Sequence, residues 1–559
     1  MTTGLALTPR RTVSRHAACR ASPLALLLVA VVAGCSGSTS PTPGPVLAPD
    51  AVRFLEQSTF GPTEALVASV QDAGFPSFLQ AQFTAAPSSL GTYPVILLSS
   101  TVVCPTTAPS NCYRDNFTSF QPAVQFFHNA LVGNDQLRQR VGFALSQIFV
   151  VSDEEVMSTY GMADYQQLLL ADAFVNFRQI LQDVTLSPAM GRYLNMVNND
   201  KANATAGTHP NENYARELLQ LLSIGLVQLN ADGSVVTDAT GQPVPTYDQS
   251  VVDGFAAVFT GWTYPTVAGA TQVKHNPTNY RGVMEAVQSN HDVTAKSLLG
   301  GTVLPANQTA AQDLGGALDL IFNHPNVGPF IGKQLIQFLV TSNPSPAYVA
   351  RVSAVFANNG AGVRGDMQAV VQTILLDPEA RGVVQTATSY GKLREPALLA
   401  ANLARAFGVQ SDGVYLRNAS SSMEQPVYEA SSVFNFYSPN YPLAGTPLLS
   451  PPSTLLDTAS VLVRSNFVYA LLFDTIAPDP TIPGAIGTTA PLTSMLTSAG
   501  DAGALADRLN ALLMHGTMSA GMRQAVMNAV NAIPTSDAID RVRAAAYVVG
   551  TSAQYQVEQ

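Results

Sequence analysis

A mostly α-helical fold is predicted for this 559-residue chain, and three observations predict it. Apolar residues recur at three- and four-residue spacing from Asp50 to the C-terminus. Asp, Asn, Ser, Thr or Pro stands where those runs begin. A single stretch, 225–247, alternates as strands do around Asp232-Gly233 and Gly241, and reads as one or two β-hairpins inserted in the helical body.

The first 34 residues read as a signal peptide. Arg10, Arg11, Arg15 and Arg20 form a basic stretch with no acidic residue, and the apolar run 24–33 is too short to span a bilayer. Val32-Ala33-Gly34-Cys35 has the small residues before a cysteine that a lipoprotein signal peptidase reads, so Cys35 is expected to carry the lipid. Ser36 after it favours sorting to an outer membrane where the host has one. A Ser/Pro/Gly tether, 35–49, follows with nothing to bury. The expected location is the cell envelope, with the acyl chains as the membrane anchor.

Removing the signal leaves 24 basic residues against 38 acidic ones, a net charge of −14. Such a surface opposes nucleic acid as a partner, because binding a phosphate backbone requires cations. Charged residues are 12% of the chain, about half the usual share. Of the four cysteines, Cys19 leaves with the signal. Cys104 and Cys112 stand in a loop with Pro105, Pro109 and Asn111, and outside the cytoplasm should close a disulfide.

From Asp50, which should cap a first helix, to Gln559 the chain reads as one helical body of two lobes in contact, 50–265 and 291–559. Thr63 should cap the next helix, which stops at Gly74. Asn134 opens another, with Leu137, Val141, Leu145, Ile148 and Phe149 as its apolar stripe and Arg138 and Arg140 off it. Further helices are expected near Tyr160, Pro210, Asp248, Ala310, Pro325, Pro346, Lys392, Asp457, Ala502, Ser519 and Ser536. Loops near 266–290 and 440–456, with a weaker break at 474–492, are the only divisions, and no solenoid repeat is found.

Familiar catalytic motifs are missing: no HExxH, no GxSxG and no GxGxxG occurs. The run 328–334 has the wrong glycine spacing for a phosphate loop, and Asn230-Ala-Asp232-Gly233 lacks the closing Glu of a calcium loop. No metal and no cofactor is indicated. What stands out is 195–217, NMVNNDKANATAGTHPNENYARE, a loop dense in Asn, Asp and Thr entering a helix at Pro210. Glu212 and Arg216 share a helix face, as do Asn213 and Glu217. The segment reads either as a capped helix with an ion pair or as a polar-ligand site at a helix start.

Seven blocks resemble, in order, the signatures of the bacterial Domain of Unknown Function 1800 family: 53–63, 138–152, 211–226, 259–264, 291–300, 324–340 and 435–442. The resemblance covers nearly the whole mature chain. It implies an exported, mostly helical protein, often encoded beside a sulfatase-like exported partner, and it implies no activity. Many members carry His where Leu222 stands, so that histidine is dispensable for anything this chain shares with them.

Within the blocks, His291-Asp292 with Lys296 reads either as an acid/base pair with a cation or as a helix start with an i,i+4 pair. Trp262, the single tryptophan, reads as a core anchor or as a stacking platform. His324-Pro325 reads as a capped helix start or, alternatively, supplies a metal ligand. Two functions follow from different classes. One is an envelope or extracellular enzyme whose catalytic groups are Glu212, Arg216, Glu217, His291 and Asp292 in one polar cavity, with Asn211, Asn213, Lys296 and Trp262 binding the ligand. The other is a lipid-tethered binding or assembly module.

Overall fold

The computed structural model describes residues 45–385, 387 and 389–559; the expected signal, Cys35 and residues 36–44 of the tether lie outside them. The fold is mostly α, as predicted: 52% of it is helical, and its sheets are pairs of two-residue strands. Residues Pro45–Gln559 form one compact unit. Contacts run across the expected lobe division, since the Ala48–Ser58 helix packs on Ala502–Leu513 and Phe120–Val132 packs on Pro396–Ala406.

The core is organised around the Gln136–Ile148 helix. Leu137, Val141, Leu145 and Ile148 are buried as expected, but Arg140, expected off the stripe, is fully buried too. The reason is that helices cover most of this element, among them Thr159–Ala171, Phe75–Thr84 and Val327–Leu339, and only Arg138 and Ser146 stay partly exposed. A helix inside a large body has little solvent face to give its polar residues. Arg140 is instead used internally. Its guanidinium donates to the Phe338 carbonyl, and the Glu395 and Glu558 charges bear on it from nearby elements.

Several starts match the sequence. Thr63 accepts from the Leu66 amide, Asp248 from Val251, and Ser519 from Met522. Other starts differ. The helix expected at Pro325 begins at Val327, with Asn326 at its N-cap and no side-chain cap; His324 instead accepts from the Asn326 amide at 3.2 Å in the turn before it. The first helix begins at Ala48, with Asp50 inside its first turn. The helix expected at Pro210 begins at Asn213, because Asn211 and Asn199 clasp the chain first: Asn211 N donates to Asn199 Oδ1, and Asn199 Nδ2 to Asn211 O. No helix follows His291; the Asp292 carboxylate folds back onto the Thr294 amide and hydroxyl, and the chain runs on into a two-residue strand, Lys296–Ser297.

The 225–247 stretch forms two turns joined by ladder contacts, with bridges Leu229↔Val235 and Thr237↔Pro243. Gly233 at φ +77° and Gly241 at φ +83° take the left-handed positions of those turns. Asp232 is spent on Ser234, so this is a hairpin turn. Cys104 and Cys112 are joined in a disulfide, with Cα atoms 5.7 Å apart. Among the described residues no helix is long and apolar enough to cross a membrane.

Candidate functional site

The structure separates the residues that the sequence suggested would share one cavity. Glu212 and Arg216 form a 2.7 Å pair on the surface, each side chain about 40% exposed, with Gln249 bonded to both. Asn213 donates to Asn195 close by. Glu217 faces inward: burial raises its pKa against the opposing charge of Arg216, and its Oε2 has no protein partner.

His291 and Lys296 are buried elsewhere. His291 Nε2 lies 2.9 Å from Asp313 Oδ2 and its Nδ1 2.9 Å from the Thr260 carbonyl. Lys296 Nζ lies 2.7 Å from the same Asp313 oxygen and donates to the carbonyls of Asp292 and Thr294. The His291, Lys296 and Asp313 side chains are 0–1% exposed. No hydrogen bond or ion pair among the described residues links Glu212 or Arg216 to His291 or Asp292. Glu212 and Arg216 thus lie at the surface, whereas His291 and Lys296 are enclosed. The polar groups of the 291–300 block are consumed by a helix, Ala310–Asn323, whose Asp313 carried no motif.

The two blocks are tied together by a residue that sequence reasoning passed over. Asp200 accepts from Lys274 at 2.6 Å, from His275 Nε2 at 2.7 Å and from Asn290, the neighbour of His291. Burial opposes its charge, but the hydrogen bonds from Lys274, Asn290 and His275 outweigh it and hold the carboxyl at about 2. The Asn-rich run around Asp200 was the available signal; its partners lie too far along the chain to be read from spacing. Trp262 is 6% exposed, in a strand paired with Ala286, and its indole N–H lacks a protein partner. It serves as a core anchor.

A cleft of about 450 Å³ lies on another part of the molecule, and none of the suggested site residues lines it. Along the Val327–Leu339 helix, Phe330, Lys333, Gln334, Gln337 and Phe338 recur at helical spacing and make one wall. The hairpin supplies Val227, Leu229 and Val235, and residues 433–440 close the far side with Val433, Phe434 and Tyr437. Behind the lining residues Tyr437 and Gln147 lies a polar network. Tyr437 donates to Glu395 at 2.8 Å, Gln425 donates to the same carboxylate at 2.6 Å, and Asn435 donates to Gln147 at 2.9 Å. A recess of about 10 Å³ adjoins the cleft at Tyr437 and Gln337, with Lys392 and Glu395 in its wall. Four of the seven sequence blocks contribute lining residues: 138–152, 211–226, 324–340 and 435–442. Among the described residues no group of three or more His, Cys, Asp or Glu stands close enough together to hold a metal.

The chain matches, over residues 53–557, the model of a family described as a protein of unknown function (DUF1800), and it belongs to that family. No curated protein and no solved structure matches it significantly.

Proposed function

We propose that this chain is an exported lipoprotein, held at the envelope by acyl chains on Cys35, that works by binding a ligand in the cleft. The observation that carries the reading is the cleft itself. Its volume falls within the ~300–1,000 Å³ of ligand sites, and it has the apolar walls and few fixed polar groups that such sites share. The convergence there of four of the blocks by which the chain resembles its family supports the same place. An enzymatic role for Glu212 and His291 has lost its geometric support, because one is on the surface and the other is consumed in the core.

Titration with a neutral solvatochromic dye such as Nile red tests the site. One saturable site is expected, lost on filling the cleft by Val433→Trp; dye binding that ignores this substitution sinks the reading. The anchor has a separate test. Cys35→Ser should release the protein from the membrane fraction and abolish labelling by a palmitate analogue, and label retained on that variant refutes it.

One observation favours an enzymatic alternative at the same place. Glu395 is held between Tyr437 and Gln425 in the wall of the recess adjoining the cleft, beside Lys392, and such a carboxylate can serve as general acid or base. Mass spectrometry of a ligand recovered from the protein separates the two. Binding returns it unchanged, whereas turnover that disappears in Glu395→Gln supports the enzyme.

A further inference from the structure

The cleft differs in charge from the molecule around it. Acidic residues outnumber basic ones in the chain, 38 to 28, yet no acidic side chain lines the cleft and Lys333 is its single cation. Lys333 stands one helical turn from Phe330 and from Gln337, half-buried in the wall. Burial lowers its pKa, and no neighbouring carboxylate acts to restore it. The other buried lysines are treated differently: Lys296 has Asp313 at 2.7 Å and Lys392 has Glu558 at 3.2 Å. A protein with an excess of carboxylates has thus left one partly desolvated ammonium unpaired, facing a cavity with amide groups of Gln334, Gln220 and Asn440 at hand.

We infer that the ligand of the cleft is an anionic amphiphile, with its apolar body against Phe330, Phe338, Leu229 and Val433 and its carboxylate or phosphate monoester head paired with Lys333. The inference rests on the cleft being the ligand site and adds the chemical class it selects. The selection has a physical basis. A neutral ligand filling the cleft strips the remaining water from the ammonium and returns no charge, which costs affinity. An anion replaces that water with a charge-assisted hydrogen bond, strengthened by the surrounding low dielectric.

Dye displacement by dodecanoate, dodecyl phosphate and dodecanol, each below its micellar concentration, tests this on the full chain carrying Cys35→Ser. The wild-type cleft should take one or both anions about tenfold to a hundredfold more tightly than the alcohol. Lys333→Met should abolish the preference, weakening the anions and tightening the alcohol as the cost of desolvating the ammonium is removed, and Lys333→Arg should retain the preference. Whichever anion binds more tightly identifies the head group. If acid and alcohol bind alike, if Lys333→Met keeps the preference, or if the dye binds at the cleft and no amphiphile displaces it, the inference is overturned while the cleft remains a site. If Val433→Trp leaves all binding intact, the cleft reading falls with it.

Discussion

Lys296 and Lys333 are two lysines withdrawn from water in a charge-poor chain, and their surroundings differ in kind. Lys296 sits in an enclosed knot, with Asp313 and two carbonyls taking its three donors, His291 bonded to the same Asp313 oxygen, and almost no exposed surface left. Lys333 sits in the wall of an open cleft with no carboxylate near. The first arrangement satisfies charge inside the fold and so belongs to the scaffold. The second leaves a charge for something outside the chain to satisfy. Burial of an ionisable residue therefore does not mark a site by itself; an unmet requirement for a partner does.

The comparison breaks most readily at Asp313. Asp313→Ala leaves Lys296 and His291 buried without their carboxylate and should cost about 3–5 kcal/mol, measured as a fall in the denaturation midpoint. Replacing Lys296 and Asp313 together by Met and Leu should recover much of that loss, since a buried pair contributes little net stability over a well-packed apolar pair. An Asp313→Ala protein as stable as wild type would show that the knot is not the scaffold element described here. The disulfide gives a yardstick outside both regions: Cys104→Ser with Cys112→Ser should cost about 2 kcal/mol, because the closed loop is short.

A third buried charge sharpens the contrast through pH. Asp172 has no cation at hand, and burial together with the Asp183 carboxylate pushes its pKa to about 7. A carboxyl whose folded pKa lies above its unfolded value stabilises the fold below about 4, and that contribution is lost as pH rises through about 7. Stability should therefore fall between those limits, and Asp172→Asn should flatten that part of the profile in thermal melts. A slope unchanged by the substitution assigns it to other groups. Smaller still, Lys333→Met should change stability by no more than ~0.5 kcal/mol while altering anion binding, the reverse of the Asp313 result. The smallest effect is expected at Glu212→Gln. It removes an exposed i,i+4 pair worth ~0.3–0.5 kcal/mol, and a large loss there would restore that pair as a functional candidate.

By itself the sequence determined what depends on near neighbours. Helical periodicity, the caps at Thr63 and Ser519, the turns at Gly233 and Gly241, and the Cys104–Cys112 bridge all act over about ten residues or fewer, and all are present. The order of the seven blocks was legible too, and with it the family. Tertiary structure alone decided which polar groups meet. Arg140 was displaced from the expected polar face because neighbouring helices cover most of its own helix, and Asp313, unmarked by any motif, took the groups that His291 and Lys296 had to offer. Glu212 stayed with Arg216 at the surface because a pair four residues apart on one helix face is satisfied without any distant partner. Lys333 attracts no notice in the sequence. What distinguishes it is the absence of a carboxylate among neighbours drawn from positions 147 to 440, and an absence of that kind exists only once the chain has folded.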